Sequence, residues 1–122
     1  MPFGPIMTEE AAPDLLAHWS PRSAPMTRFM TVAMPATDRL KELAPGAVHG
    51  DGTARAQVLR RSDDPALHAM LRLLPGQVCI NTSLNRHGEP IAATTDEASA
   101  VARAAGARLW WNQADSGETR HP

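Results

Sequence analysis

Two short polar stretches hold the side chains best suited to gripping an anion. Residues 49–55 read HGDGTAR and residues 81–90 read NTSLNRHGEP. In the first, Asp51 is flanked by glycines, which marks a turn, and Thr53, Arg55 and Gln57 lead out of it. A guanidinium such as that of Arg55 matches a phosphate with two parallel hydrogen bonds. In the second, Asn81, Thr82, Ser83 and Asn85 supply donors and acceptors at close spacing. Successive backbone N–H groups in such a loop can form an anion-binding nest. Together these residues describe an oxyanion site that works by positioning and charge, with no evident covalent nucleophile. Each also has a plain structural reading. Thr-Ser-Asn loops cap backbone groups, Asp-Gly is a common turn, and an arginine on a strand often faces solvent.

Other chemistries find less support. His49 with Asp51, and His87 with Glu89, have metal-like spacing, but neither has further ligands near it in sequence, so no metal site is expected. His-x-Glu suits a zinc deaminase only with a Cys-x-x-Cys, and Cys79 is the single cysteine. Ser83 lacks the G-x-S-x-G elbow of a hydrolase nucleophile. Trp110 and Trp111 could stack a base, although a core role suits at least one of them better. Cys79 sits in an apolar run and reads as an inert buried thiol.

The elements that must position the two loops follow from periodicity and breakers. Residues 28–34 (RFMTVAM) read as a strand stopped by Pro35, with Met26, Met30 and Met34 as packing methionines. Residues 54–59, 78–80 and 108–112 read as further strands, the four sharing one sheet. Short helices are expected at 9–19 and 37–43. A longer one over 65–74 is capped by Asp64, with Pro65 in its first turn and Leu67, Met70, Leu71 and Leu74 as its apolar face. Thr94 and Glu97 form a capping-box pattern ahead of a helix whose inner face is Ala98, Val101, Ala102 and Ala105, stopped by Gly106. Residues 1–27 are rich in Pro, Ala and Met, and the polar tail over 114–122 reads as flexible. The fold class is α/β: a mixed twisted sheet with packed helices, in one domain over residues 1–122.

Composition bounds the partners. The 122 residues carry a formal net charge of −1, so no global field favours nucleic acid or a membrane surface. No apolar run approaches a membrane span, and the start has no basic-then-apolar leader. One cysteine excludes an intrachain disulfide and suits a cytoplasmic setting. The twelve basic residues are eleven arginines and Lys41.

The order and separation of the two blocks resemble the C-terminal domain of the carbamoyltransferases, which include the O-carbamoyltransferases of antibiotic and nodulation-factor biosynthesis. That family's pattern runs approximately H-x-D-G-T-A-R-x-Q, D-N-P, L-N-T-S-F-N-x-x-G-E-P-I and S-P-E-D-A. His49, Asp51, Gly52, Thr53, Ala54, Arg55 and Gln57 match the first block. Asp64 replaces the Asn of the second. Asn81, Thr82, Ser83, Asn85, Gly88, Glu89, Pro90 and Ile91 match the third, with Leu84 for Phe. The resemblance covers residues 3–112 and implies a partial YrdC-like domain. It implies that Arg55, Asn81 and Ser83 act on carbamoyl phosphate and ATP, with Mg2+ as the ion that ATP brings. Thr53, Thr82 and Asn85 would complete the nucleotide pocket. The product of that chemistry is carbamoyl adenylate, whose carbamoyl group a Kae1-type domain passes to an acceptor hydroxyl.

The sequence departs from the family at its start. Residues 2–5 (PFGP) match an R-P-F-A-P segment, but Met1 stands at the arginine and a preceding K-x-R-E segment is lacking. Three expectations follow. A protein partner supplies a Kae1-type domain or the missing half-domain, the chain is a non-catalytic nucleotide- or partner-binding module, or the sequence is a truncation. RNA binding, which the resemblance admits because YrdC-like proteins also occur in tRNA threonylcarbamoylation, fits poorly with the near-neutral charge. A homo-oligomer stays open.

Overall fold

The computed structural model describes residues 3–109. The chain divides into two compact units, Met1–Thr82 and Ser83–Pro122.

The first unit is built on a three-stranded mixed sheet. Its strands are β1 (Gly4–Thr8), β4 (Gln57–Leu59) and β5 (Val78–Asn81), with β1 at the centre, parallel to β4 and antiparallel to β5. Between them in sequence lie β2 (Met34–Pro35) and β3 (Thr53–Ala54), which form a separate antiparallel pair. The α/β class expected from the sequence is therefore what the chain forms. Alternation along the strands divides the core. Met7, Val58 and Val78 face one side, where they join Leu15, Leu16, Trp19 and Leu40. Ile6, Leu59 and Cys79 face the other and meet Leu71, Leu67 and Leu74.

Three helices lie in this unit: α1 (Ala12–Leu15), α2 (Asp38–Leu43) and α3 (Pro65–Arg72). Thr37 caps α2 by accepting from the Leu40 N–H, and Asp64 caps α3 by accepting from the Leu67 N–H, with Pro65 where a missing N–H does no harm. The α3 face holds Leu71 fully buried, but Met70 turns outward and is 49 % exposed, contrary to its expected place on the apolar face.

Several expected elements are corrected. Residues 28–34 do not form a strand: Arg28, Phe29 and Met30 lie in turns, and only Met34 belongs to one. Thr27 and Thr31 bend this segment, because the Thr27 hydroxyl donates to the Ser23 and Ala24 carbonyls and the Thr31 hydroxyl to Met26 O. Met26 is 50 % exposed, so it is no packing methionine. The expected strand over 54–59 is broken at Arg55 and Ala56 into β3 and β4, which belong to different sheets. The helix expected over 9–19 is the single turn α1. Arg108 and Leu109 are not in a strand, while 110–112, the tryptophan pair and the 114–122 tail lie outside the described residues.

The central strand β1 is the element that the residues conceal. Gly4 and Pro5 argue against a strand interior. The ladder to β4 begins only at Ile6 with Gln57, so Pro5 has no N–H to supply on that side. Gly4 is required by close approach. A Cβ there would stand 2.7 Å from the Arg55 carbonyl oxygen and collide with the Met30 Cε.

The second unit is a loop followed by α4 (Thr95–Ala105). Its capping box is complete: the Thr94 hydroxyl accepts from the Glu97 N–H, and the Glu97 carboxylate accepts from the Thr94 N–H. Gly106 ends it with φ +67°, the left-handed conformation that glycine adopts without strain. Ala102 is buried and Ala98 and Val101 half-buried, but Ala105 is exposed and not on an inner face.

Candidate functional site

Arg55 of the first block and Asn81, the first residue of the second, both border Gly4. Asn81 pairs with Gly4 across β1 and β5, while the Arg55 carbonyl approaches Gly4 from the β4 side. Because Gly4 has no side chain, Asn81 and Gln57 reach each other over it: Asn81 Nδ2 donates to Gln57 Oε1 at 2.9 Å. Met30 joins them, its sulfur 3.6 Å from the same Nδ2. The result is a polar patch continuing the Ile6 face of the sheet.

Arg55 belongs on this face by alternation, since Ala54, Ala56 and Val58 all pack into the opposite core. It is half-buried, and among the described residues its guanidinium has no hydrogen-bond or ion-pair partner. By contrast, Arg28 and Arg60 both bind Asp63, at 2.6 and 2.9 Å. A half-buried arginine with no carboxylate of its own is available to an anion.

The loop before Arg55 has its side chains already committed. The Thr53 hydroxyl donates to Asp51 Oδ1 at 2.7 Å, and the Thr53 N–H donates to the same oxygen at 3.0 Å. These bonds, the hydroxyl first, hold the Asp51 carboxyl below its usual range. Gly52, at φ +81°, lets the turn close, with its N–H donating to His49 O. Thr53 thus orders the turn and is not presented to a ligand by its hydroxyl.

The later loop is also internally bonded. In the second unit the Ser83 hydroxyl donates to Asn85 Oδ1, and Asn85 Nδ2 donates to the Arg86 and Glu89 carbonyls at 3.0 Å each. Ser83 is exposed, and Asn85 is half-buried. Thr82, at the end of the first unit, is exposed and makes no side-chain bond among the described residues. The Arg55 backbone and Asn81 therefore both border Gly4 within the first unit, while Ser83 and Asn85 belong to the second. Sequence reasoning included Gln57 in the motif but gave it no role, and it missed Met30. A methionine in a left-handed turn leaves no trace in a pattern of apolar residues.

A neighbouring cleft of about 460 Å3 is lined by Arg28, Phe29, Gln57, Leu59, Asp63 and Leu67, among others. Gln57 thus borders both the polar patch and open volume. Cys79 is half-buried rather than buried, and its Sγ lies 3.6 Å from Ile80 O. Among the described residues no cluster of three His, Cys, Asp or Glu is placed to hold a metal ion, and no helix is long and apolar enough to cross a membrane.

Comparison with known proteins places these blocks in a family. The chain is 32 % identical over 103 residues to an uncharacterized protein of Methanocaldococcus jannaschii, covering 80 % of this chain and 19 % of that protein. It is 32 % identical over 91 residues to nodulation protein U of Rhizobium tropici, covering 71 % of this chain and 15 % of that one. With nodulation protein NolNO of Sinorhizobium fredii it shares 30 % identity over 101 residues, 80 % of this chain and 15 % of that one. The chain spans less than a fifth of the length of these relatives. The sequence profile described as "Carbamoyltransferase C-terminus" matches residues 1–112, and the chain belongs to that family.

Proposed function

We propose that this chain binds carbamoyl phosphate and ATP and serves as a component of carbamoyl transfer through carbamoyl adenylate. The observation that carries the reading is Arg55: it is half-buried, its guanidinium has no partner among the described residues, and its backbone carbonyl borders Gly4, the residue that pairs with Asn81. Its fork suits the phosphate oxygens of either substrate. Asn81 adds a side-chain contact from the adjoining strand end. Thr82, at the end of the same unit, supplies a further donor, and Thr53 keeps the turn before Arg55 in shape. These are positioning and charge-stabilising roles, which dominate phosphoryl and nucleotidyl transfer. Mg2+ would arrive with ATP, held chiefly by the phosphates.

A second reading is a non-catalytic binding module. The internal bonding of Thr53, Ser83 and Asn85 favours it, because those groups already have partners. Lys41, the sole lysine, is exposed and pairs with Asp38 at 3.8 Å, so it does not add to the patch.

The assay is carbamoyl phosphate-dependent exchange of pyrophosphate into ATP. Whatever exchange the chain supports, Arg55→Ala should lower it by ~10²–10³, the usual cost of removing one charge contact in such a site. Robust exchange that survives Arg55→Ala would overturn the assignment of the site.

A further inference from the structure

We infer that Met30 and Gln57 orient the Asn81 amide so that its oxygen faces the ligand, making Asn81 a reader of the ligand's –NH2 group and not of its phosphate. The inference rests on the carbamoyl phosphate reading and assigns its parts. Asn81 Nδ2 stands 2.9 Å from Gln57 Oε1 and 3.6 Å from Met30 Sδ. A thioether sulfur can only accept. The end of the Asn81 amide that faces it must therefore be the –NH2, which decides the orientation of the whole group. Both Nδ2 hydrogens are then engaged. Asn81 Oδ1 accepts nothing from the described residues. Among them the buried side-chain oxygen without a partner is Glu9 Oε2, so Asn81 Oδ1 is open to solvent.

An amide oxygen repels phosphate oxygens and attracts an N–H donor. Carbamoyl phosphate carries an –NH2 where acetyl phosphate carries a methyl. An acceptor in the site discriminates between them, because with acetyl phosphate it would lose its water and gain no bond. The division of labour follows: Arg55 takes the anion, and Asn81 checks the amine.

The fold is built around this orientation. Met30 has φ +59°, a conformation rare for a side chain of its size. The Val58 N–H donates to Thr27 O at 2.8 Å and the Thr31 hydroxyl to Met26 O at 2.8 Å, and these bonds tie down the turn that carries it. The sulfur reaches Asn81 only because Gly4 lacks a Cβ, which would collide with the Met30 methyl. A strained residue seated over a glycine at a motif asparagine is where a positioning role is expected.

The test is calorimetric titration of the full chain with carbamoyl phosphate, acetyl phosphate and inorganic phosphate. Carbamoyl phosphate should bind about 5–10-fold tighter than acetyl phosphate, the worth of one hydrogen bond. In Met30→Leu, which keeps the volume but removes the acceptor, that ratio should fall towards one, and likewise in Gln57→Leu. The ratio is read within each variant, so a general loss of binding cancels. If Gln57→Leu does not fold, Met30→Leu decides alone. A ratio near one in the unaltered chain, or a ratio retained in Met30→Leu, overturns the inference while the anion reading stands. Failure of all three phosphates to bind the unaltered chain overturns both. A parallel titration with ATP and with inosine triphosphate should show no difference. A loss confined to inosine triphosphate would put the amine contact on adenine and overturn the assignment to the carbamoyl group.

Discussion

Asp63 accepts from the Arg28 guanidinium and from the Arg60 backbone N–H, Nε and Nη2. Those bonds, the Arg60 side chain first, hold its carboxyl well below the usual range. It ties the turn after β4 to the segment that carries Met30. Asp63→Asn should therefore lower the melting temperature at neutral pH and loosen the Met30 turn, seen as faster amide exchange over 27–31. Gly4→Ala tests the closeness of the patch: its Cβ would meet the Arg55 carbonyl at 2.7 Å, and overpacking of this kind costs about 1–3 kcal/mol, measurable by urea denaturation. The acid limb of stability is set in part by Glu10, whose carboxylate accepts from the buried His68 Nε2 at 2.9 Å. This bond first, with the Glu10 backbone contact, lowers the Glu10 carboxyl from its ordinary 4.5. A depressed carboxylate stabilises fully above its unfolded pKa and loses that contribution as pH falls through its folded pKa. The melting temperature should thus begin to drop as the solution is acidified below 4.5, with a small amplitude because the Glu10 side chain is 60 % exposed. Glu10→Gln should flatten that limb.

At the scale of elements, local chemistry decides what was legible. The α4 cap and the α3 cap at Asp64 rest on adjacent residues and are plain in the sequence. Thr94→Ala should remove about 1 kcal/mol from α4, read as lost helicity or faster amide exchange over its first turn. The strands were read less well, because pairing partners decide them and partners are distant in sequence. β5 was evident from its apolar run. β1 was hidden by Gly4 and Pro5, which look like turn residues but are tolerated where the β4 ladder has not begun and where Met30 needs room. Residues 28–34 look like a strand and are bent instead by two threonine hydroxyls. The site was half legible: Arg55 and Asn81 stand in motif blocks, whereas Met30 enters only through the three-dimensional turn.

At the scale of the molecule, the chain is a carbamoyltransferase C-terminal-family domain with a formal net charge of −1, eleven arginines and one lysine. Three of the arginines outside the patch are already engaged: Arg28 and Arg60 are held by Asp63, and Arg103 donates to the Ser99 carbonyl. Ligand binding at the patch should depend on the Arg55 guanidinium. Titration of the chain with carbamoyl phosphate, followed by calorimetry and repeated with Arg55→Ala, measures that dependence. The account predicts saturable binding at millimolar concentration or tighter, competed by inorganic phosphate and abolished by Arg55→Ala in a chain that still melts cooperatively. Binding of undiminished affinity in Arg55→Ala, or no heat from the unaltered chain, would contradict it.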